Sequence, residues 1–410
     1  MGYVHCQRLK NKEFVLDFTT SFRYLNPGAR MYAGKGIISQ IDREVQRQGA
    51  KRAFIVMSPT VNRETDLLEK IKRSLGDLYG GVYDGANRET LIPTVDAGVD
   101  AARDAAADVI IAVGGGSAVC TARAITIMLA EDGSYQDLST KHIDGKGLTS
   151  PRLIQPKLPN ILILTTPTTA ADRAGVAVRD NKRPFRLELY DPKVRPQAIF
   201  LDEDALLTAP ASLFLDTSAH TLAGLIKRFV KPKNNGFNFA DIRQALELSI
   251  VYMPQLIQNP ADPTPRIQLG LAALLANRAE DAPNVDTDRD GNAFYLQLCF
   301  HYEHVGMGMS RTALLGSEMR RLGNNITDGK MRLLQVFESL GQDVQGKDCS
   351  EVIADFLGSL GLPTRLQELG IPESDFQLLA EEEAAEPSVD AGPDRMRDVG
   401  ELIEVLKEAW

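Results

Sequence analysis

The stretch Asp108-Val-Ile-Ile-Ala-Val-Gly-Gly-Gly-Ser117 lies at the centre of the fold that this sequence predicts. Its apolar, mostly β-branched start is typical of a strand buried on both faces of a parallel sheet. Gly114, Gly115 and Gly116 then end the strand, and their lack of side chains lets a ligand approach the main chain. Ser117 and the apolar run 118–129 predict a helix whose first amides favour an anion. The three features together predict a phosphate-binding cradle; the alternative is a tight turn without a ligand.

Length and composition restrict the class of protein. A chain of 410 residues with 43% hydrophobic residues predicts two globular domains. The net charge of −9 and the lack of a long basic cluster argue against nucleic acid as a partner. We expect no membrane span, because no apolar run approaches ~18 residues, and no signal peptide, because residues 1–13 are polar. The four dispersed cysteines fit reduced thiols, so we expect a cytoplasmic protein.

Strand and helix patterns alternate over the first half of the chain. Besides the central stretch, apolar strand patterns occur at 30–36, 52–57, 80–85, 160–165, 187–190 and 198–201. Helical patterns separate the early strands, which predicts crossover units and a Rossmann-like α/β domain with a parallel sheet. Ligands of such sheets bind at the carboxyl ends of the strands, where the glycine triplet lies.

The second half of the chain lacks strand patterns. Long runs with a period of 3.6 residues occupy 240–254, 266–279, 330–340 and 352–360. We therefore predict an α/β domain over residues 1–205 and an all-α domain over residues 206–410.

Four hydroxyl groups follow the strand pattern at 160–165. They belong to Thr165, Thr166, Thr168 and Thr169 in the segment Thr-Thr-Pro-Thr-Thr. At the carboxyl end of a neighbouring strand, these hydroxyls would donate hydrogen bonds to a second part of the same ligand. The alternative is an ordinary polar loop.

Asp216 and His220 stand four residues apart on a predicted helix. This spacing places both side chains on one face, about 6 Å apart at their β-carbons, where they could share a metal. His301 and His304 form a second cluster, and the acidic Glu318 follows fourteen residues after His304. Taken alone, the pair favours the alternative of a solvated or capping aspartate beside a core histidine.

Two other metal patterns are weaker. Cys299, His301 and His304 contain zinc-ligand residue types, but their spacing on a helix does not direct all three to one side and no second pair completes a tetrahedron. Residues 286–291 copy the start of a calcium loop, but position twelve is Gln297 instead of the bidentate glutamate, which favours a polar loop.

These motifs together resemble the iron-containing (group III) alcohol dehydrogenase family, which includes maleylacetate-reductase-like members. The resemblance spans nearly the whole chain and rests on motifs at residues 32–36, 114–117, 165–169, 195–202, 216–220 and 361–370. It implies a dehydroquinate-synthase-like architecture, an N-terminal domain that binds NAD or NADP, and one divalent metal, iron or zinc, in the helical domain. It also implies a homodimer that acts on a small alcohol or carbonyl substrate.

The resemblance implies roles for residues of the helical half. Asp216, His220 and His304 match the first three metal ligands of the family. Glu318 stands where the family has a fourth ligand, a histidine in a Pro-His-Gly turn, so a harder and more anionic metal site is expected. His220 and His304 would thus act in catalysis. A further family histidine is replaced by Gly308, and His301 is a candidate to take its place.

Roles in the cofactor half follow from the same resemblance. Gly114, Gly115, Gly116 and Ser117, with the four threonines, would contact the nucleotide. Arg186 takes the place of a family lysine near the nicotinamide ribose. Ser58 follows the strand 52–57 where NAD-specific members have an aspartate that repels a 2′-phosphate, so NADP would be tolerated.

The resemblance implies hydride transfer between NAD(P) and an alcohol or carbonyl, with the metal as a Lewis acid. Two alternatives stay open. One is a lyase or cyclase resembling dehydroquinate synthase, which uses the nicotinamide only transiently. The other is a catalytically altered descendant that still binds a nucleotide.

Overall fold

A parallel sheet forms the N-terminal part of the molecule, as the sequence predicts. The computed structural model describes residues 28–143, 147–182, 186–231, 234–280, 294–322, 326–385 and 398–410. Its strands are β1 (Arg30–Gly34), β2 (Ala53–Met57), β3 (Tyr79–Tyr83), β4 (Val109–Gly114), β5 (Lys141–Ile143), β6 (Gly147–Thr149), β7 (Asn160–Leu164), β8 (Gly175–Arg179), β9 (Arg186–Tyr190) and β10 (Ala198–Asp202). The sheet has the order β1-β10-β7-β4-β2-β3, and every neighbouring pair is parallel.

The four central strands explain the continuous apolar runs in the sequence. Every residue of β2, β4, β7 and β10 is buried, because helices cover both faces of the sheet. These helices are α1 (Ile41–Arg47), α2 (Pro59–Glu64), α3 (Leu67–Leu75), α4 (Ile92–Asp104), α5 (Gly116–Ala130) and α6 (Tyr135–Leu138). Alternate residues of β4 enter two cores: Ile111 packs with α1 and α3, and Ile110 with α4 and α5.

The strand pattern at 187–190 forms a separate hairpin instead of joining the parallel sheet. Strand β9 pairs antiparallel with β8, and Arg186 lies opposite Arg179. The connection between these two strands is short, whereas a parallel crossover needs about a dozen residues. The hairpin therefore packs beside the sheet, next to helix α5.

After β10, the regular elements in the described part of the chain are helices. They are α7 (Glu203–Leu207), α8 (Ala211–Phe229), α9 (Gly236–Gln258), α10 (Pro263–Glu280), α11 (Phe294–His301), α12 (Met307–Arg321), α13 (Thr327–Ser339), α14 (Cys349–Ser359), α15 (Phe376–Ala385) and α16 (Val399–Ala409). The predicted boundary between residues 205 and 206 falls inside α7. None of the described helices is both long and apolar enough to cross a membrane.

Helices α8 and α12 position the helical side of the site. The two helices pack together along their length. Asp216 meets Gly308 near the start of α12, Gly224 lies beside Arg311, and Lys227 pairs with Glu318 further along. The two helices therefore run in the same direction past each other.

Candidate functional site

The glycine turn after β4 leaves no space for side chains. Gly114 has a φ of +146°, which side chains disfavour, and helix α5 begins at Gly116 without a side-chain cap. A β-carbon on Gly115 would lie 2.7 Å from Oγ1 of Thr166, and one on Gly116 would lie 3.0 Å from Oγ1 of Thr168. The glycines therefore let the threonine segment pack directly against the start of the helix.

The threonine segment lies where the sequence predicts, at the carboxyl end of the strand next to β4. Gly114 pairs with Leu164, and the Thr165 amide donates to the Gly114 carbonyl at 3.0 Å. Thr165, Thr166 and Thr168 are buried, whereas Thr169 is half-buried. Among the described residues, the buried Oγ1 of Thr166 has no hydrogen-bond partner.

These features fit a nucleotide phosphate. The first amides of α5 lack intrahelical acceptors, the helix dipole favours an anion there, and Gly115, Gly116 and Ser117 are only half-buried. We name residues 114–117 and 165–169 together the cradle.

Arg123 on α5 holds the cradle together. Its guanidinium donates to the carbonyl oxygens of Ala170 and Ala171 at 2.8 Å and to that of Gly175 at 2.9 Å. Burial lowers its pKa to about 10, so the side chain stays charged at neutral pH. This buried cation thus ties the end of the threonine segment to the helix that begins at the glycines.

Ser58 and Arg186 belong to different elements near the cradle. Ser58 directly follows β2 and caps α2, with its hydroxyl accepting from the Val61 amide at 3.3 Å. Arg186 begins β9 and is close enough to Cys120 that its charge lowers the pKa of that thiol, against the larger effect of burial, which raises it. Cys120 lies on α5, so Arg186 is near the helix that follows the glycines.

Asp216 on α8 caps helix α12. Its Oδ1 accepts from the Met309 amide at 2.8 Å, and the Gly308 amide also hydrogen bonds to the carboxylate. Burial raises the pKa of Asp216, and the two amides oppose that rise. Gly306 and Gly308 permit this contact, because a β-carbon at either position would overlap Asp216. Gly308 is thus required by packing.

His220 lies one turn after Asp216 on the same helix, as predicted. Its ring packs edge-on against Tyr295, with 5.6 Å between centroids, and among the described residues its buried Nδ1 has no hydrogen-bond partner. Burial and the nearby charge of Arg311 hold the pKa of His220 well below its usual value, although a hydrogen bond to the Met307 backbone acts in the opposite direction. The imidazole is therefore neutral.

Three arginines lie near His220, and one glutamate pairs with two of them. We name Arg173, Arg228, Arg311 and Glu280 the arginine cluster. Arg173 and Arg228 both form ion pairs with Glu280, the last residue of α10. Their charges lower the pKa of Glu280 to about 2, although its burial acts to raise it.

The arginine cluster is continuous with the cradle. Arg173 Nε donates to the Thr169 carbonyl at 3.1 Å, and its Nη2 donates to Oδ1 of Asn277 on α10 at 3.0 Å. One side chain therefore joins the threonine segment of the sheet domain to the helical domain. Arg311 lies over the Tyr295 ring at 4.3 Å from the centroid, on the His220 side.

The structure does not bring the four predicted metal ligands together. His304 is exposed in the turn after α11, and its Nε2 lies 3.0 Å from the Leu369 carbonyl oxygen. Glu318 forms an ion pair with Lys227 at 3.0 Å. Gly308, which touches Asp216, and Glu318 are separated by about 15 Å along α12. Protein ligands of one zinc lie within about 2.3 Å of it, so Asp216 and Glu318 cannot share an ion in this arrangement.

The remaining metal candidates do not assemble either. Within the described ranges, no three His, Cys, Asp or Glu residues are grouped as metal ligands. His301 ends α11 and its Nε2 lies 2.7 Å from a Glu382 oxygen. Cys299 is buried 3.6 Å from the Ser310 hydroxyl, and burial raises the pKa of its thiol. Residues 286–291 lie outside the described residues.

The arginine cluster is the part of the site that sequence reasoning missed. Its members come from the loop after β7 and from α8, α10 and α12, and their spacing in the chain carries no motif. One signal was present: Gly224 interrupts an apolar helix four residues after His220. A β-carbon there would lie 2.9 Å from Arg228 Nη2 and 3.2 Å from Arg311 Nη1.

A parallel sheet with a main-chain cradle, followed by a helical domain that faces it, defines a class of two-domain dinucleotide-binding proteins. Residues 28–203 match the sequence profile described as iron-containing alcohol dehydrogenase. The NAD-dependent methanol dehydrogenase of Bacillus methanolicus is 23% identical over 391 residues, which cover 92% of this chain and 97% of that protein. The resemblance to the iron-containing alcohol dehydrogenase family that the sequence motifs indicate is therefore confirmed.

Solved structures agree on the fold. A 1,3-propanediol oxidoreductase superposes with a TM-score of 0.80 at 20% identity, covering 95% of this chain and all of that one. Maleylacetate reductase from Agrobacterium tumefaciens superposes with a TM-score of 0.72 at 20% identity, covering 96% and 99%. The predicted architecture, a parallel-sheet domain followed by helices, is therefore confirmed.

Proposed function

We propose that this protein is an NAD(P)-dependent oxidoreductase that transfers hydride between the nicotinamide and a small alcohol or carbonyl compound. The observation that carries the proposal is the cradle, in which bare main chain and an unpartnered threonine hydroxyl meet at the carboxyl edge of the sheet. The resemblance to the family supports it, because similar proteins include ones named methanol dehydrogenase and lactaldehyde reductase.

The cradle suits the pyrophosphate of the nucleotide. The amides at the start of α5 would bind phosphate oxygens, and the threonine hydroxyls would supply further donors. Ser58, at the carboxyl end of the neighbouring strand β2, adds no negative charge where a 2′-phosphate would come. We therefore propose that NADP is accepted as well as NAD. Arg186 remains a candidate contact of the nicotinamide side.

A divalent metal is implied by the family, but the residues present do not fit one. Asp216 uses its carboxylate to cap α12, and the position on α12 that faces His220 belongs to Arg311, which donates and cannot ligate. The predicted set of Asp216, His220, His304 and Glu318 is therefore not carried into the reaction proposed here. The roles of His220, His301 and His304 in catalysis stay predictions.

The proposed reaction is a balanced two-electron transfer. When bound, the reduced nicotinamide would supply a hydride to the carbonyl carbon, and with a proton from water on the carbonyl oxygen the products would be the alcohol and the oxidised nucleotide. The cradle would hold the nucleotide, and the half-buried side chains of His220 and Arg311 lie on the helical side, which Arg173 joins to the cradle. Burial of these groups strengthens their electrostatic effect on a bound carbonyl.

Two measurements test the proposal. NADPH and NADH are titrated into the purified protein by fluorescence, and their oxidation is then followed with a panel of small carbonyl compounds, with and without a chelator. We expect binding and stoichiometric consumption of the nucleotide. A lyase would bind the nucleotide without net consumption, and absence of binding would refute the proposal. Sedimentation of the same sample tests the predicted homodimer.

A further inference from the structure

We infer that the arginine cluster binds an anionic group of the substrate, so that the substrate is a small carbonyl or alcohol compound carrying a carboxylate. This inference rests on the proposed function and adds the substrate class. It uses residues that the family resemblance did not single out.

Arg311 differs from the other two arginines of the cluster in its partners. Glu280 forms ion pairs with both Arg173 and Arg228. The next carboxylate, Glu318, pairs with Lys227. Among the described residues, no carboxylate forms an ion pair with Arg311, which lies over the Tyr295 ring and hydrogen bonds to Tyr295, while Glu318 and Glu280 act on its charge without pairing with it. An anionic group of a ligand would give this half-buried guanidinium a direct ion pair.

The cluster is also placed to meet a substrate. Arg173 joins it to the Thr169 carbonyl at the edge of the cradle, so the two sites are neighbours. His220, Arg311 and Tyr295 are all half-buried, as expected of residues that line a cleft. A ligand bound here would lie between the nucleotide-binding sheet and α8.

Gly224 provides the space for two guanidinium groups on one side of α8. A methyl group there would meet the terminal nitrogens of Arg228 and Arg311. Arg311 is held over the Tyr295 ring, with its Cζ 4.3 Å from the ring centroid, which restricts the positions of its N–H donors. A planar donor fork held in this way matches a carboxylate, which accepts two parallel hydrogen bonds.

Binding of a small dianion tests the inference without turnover. Malonate, neutral malonamide and inorganic phosphate are titrated by calorimetry into wild type, with and without saturating NADP. We expect malonate to bind and malonamide not to bind. In Arg311→Gln we expect malonate affinity to fall by about tenfold or more, as for loss of a charge-assisted hydrogen bond. In Arg311→Lys, which keeps the charge, we expect a smaller loss.

Arg320→Gln is the matched control. Arg320 is an exposed arginine on the same helix, where it donates to the Glu408 carbonyl, so we expect unchanged malonate binding. Equal binding of malonate and malonamide by wild type would overturn the inference, as would malonate binding that Arg311→Gln leaves unchanged. Stronger binding of phosphate than malonate would overturn the choice of carboxylate.

A kinetic comparison separates this inference from the proposed function. Succinic semialdehyde and butanal are both aldehydes, but only the first carries a carboxylate. We expect kcat/KM for succinic semialdehyde to exceed that for butanal, and Arg311→Gln to remove this preference mainly by raising KM. Turnover of both aldehydes without a preference would refute the inference alone. Absence of NADPH binding would refute the proposed function, while the malonate titration would still decide the anion site.

Discussion

The two sides of the cleft are built from different parts of the chain. On the sheet side, Gly115 and Gly116 expose main chain, and one contiguous strand–turn–helix segment forms most of the cradle. On the helical side, arginine side chains from three separate segments lie near His220. A main-chain site depends on backbone shape alone, whereas a side-chain site changes its chemistry with each substitution. This difference underlies our proposals that the sheet side binds a nucleotide and that the helical side binds an anion instead of a metal.

The substitution with the largest expected effect on stability lies on the helical side. In Gly308→Ala the new methyl group would overlap the backbone carbonyl of Asp216, where neither partner is a flexible side-chain end. We expect the free energy of unfolding to fall by about 3 kcal/mol, as for severe overpacking. Urea denaturation measures it.

Gly316→Ala, on the same helix, is the control for that substitution. Its β-carbon would meet only the end of Arg320, at an ordinary 3.5 Å. We expect it to be neutral or to stabilise by up to ~1 kcal/mol, because alanine favours helix over glycine. Similar losses in both variants would contradict the close packing of Gly308 against α8.

Glu280→Gln tests the balance of the arginine cluster. The substitution leaves Arg173 and Arg228 without their shared carboxylate, and we expect a loss of about 2 kcal/mol at pH 7, less than for a fully buried pair because Glu280 is partly exposed. The folded-state pKa of Glu280, about 2, lies below the ordinary value of 4.5. Its contribution is therefore complete above pH ~5 and is lost as pH falls toward 2.

Urea denaturation of wild type and Glu280→Gln at several pH values measures this dependence. The difference between the two proteins should shrink as the solution is acidified below pH ~4.5. Glu404→Gln, which removes an exposed ion pair with Lys407, should change stability by less than ~1 kcal/mol at every pH. A Glu280→Gln difference that does not depend on pH would show that the loss is not electrostatic.

The contrast between a site built from one contiguous segment and a site built from several segments explains which features the sequence could predict. The buried strands, the glycine turn at 114–116 and the threonine segment are local patterns, and the pairing of Gly114 with Leu164 brings them together as expected. Asp216 and His220 share a helix face for the same local reason. The positions of His304 and Glu318 depend instead on where α11 ends and how α12 packs against α8, which no local pattern encodes.

The type of a residue did not by itself predict its role in the structure. The motif treats Asp216 as a metal ligand, but its carboxylate is engaged by amides of α12, and glycines 306 and 308 make that contact possible. The sequence did not reveal the arginine cluster, because its long side chains reach the site from backbone positions that are far apart in the chain. Arg173, for example, crosses from the sheet domain to Asn277.

Gly115→Ala tests the sheet side. Its β-carbon would lie 2.7 Å from Thr166 Oγ1, so the threonine segment must move away from the start of α5. We expect NADPH affinity to fall by about tenfold, or ~1.4 kcal/mol, with little change in malonate binding. Gly358→Ala on α14, where a β-carbon meets open space, should leave NADPH binding unchanged. Unchanged NADPH affinity in Gly115→Ala would place the nucleotide elsewhere.

The smallest expected effect concerns Ser58, which we propose lies near the 2′ position of the nucleotide on the sheet side. Ser58→Asp keeps a good N-cap for α2, because aspartate accepts the Val61 amide as serine does, so stability should change by less than ~0.5 kcal/mol. The added negative charge should repel the 2′-phosphate of NADPH but not the free 2′-hydroxyl of NADH. We expect NADPH to bind about fivefold more weakly, ~1 kcal/mol, and NADH affinity to be unchanged or improved.

Parallel fluorescence titrations with the two nucleotides measure this ratio. Equal losses of affinity for NADPH and NADH would mean that Ser58 lies away from the ribose. The cradle would then bind the phosphates without distinguishing a 2′-phosphate from a 2′-hydroxyl.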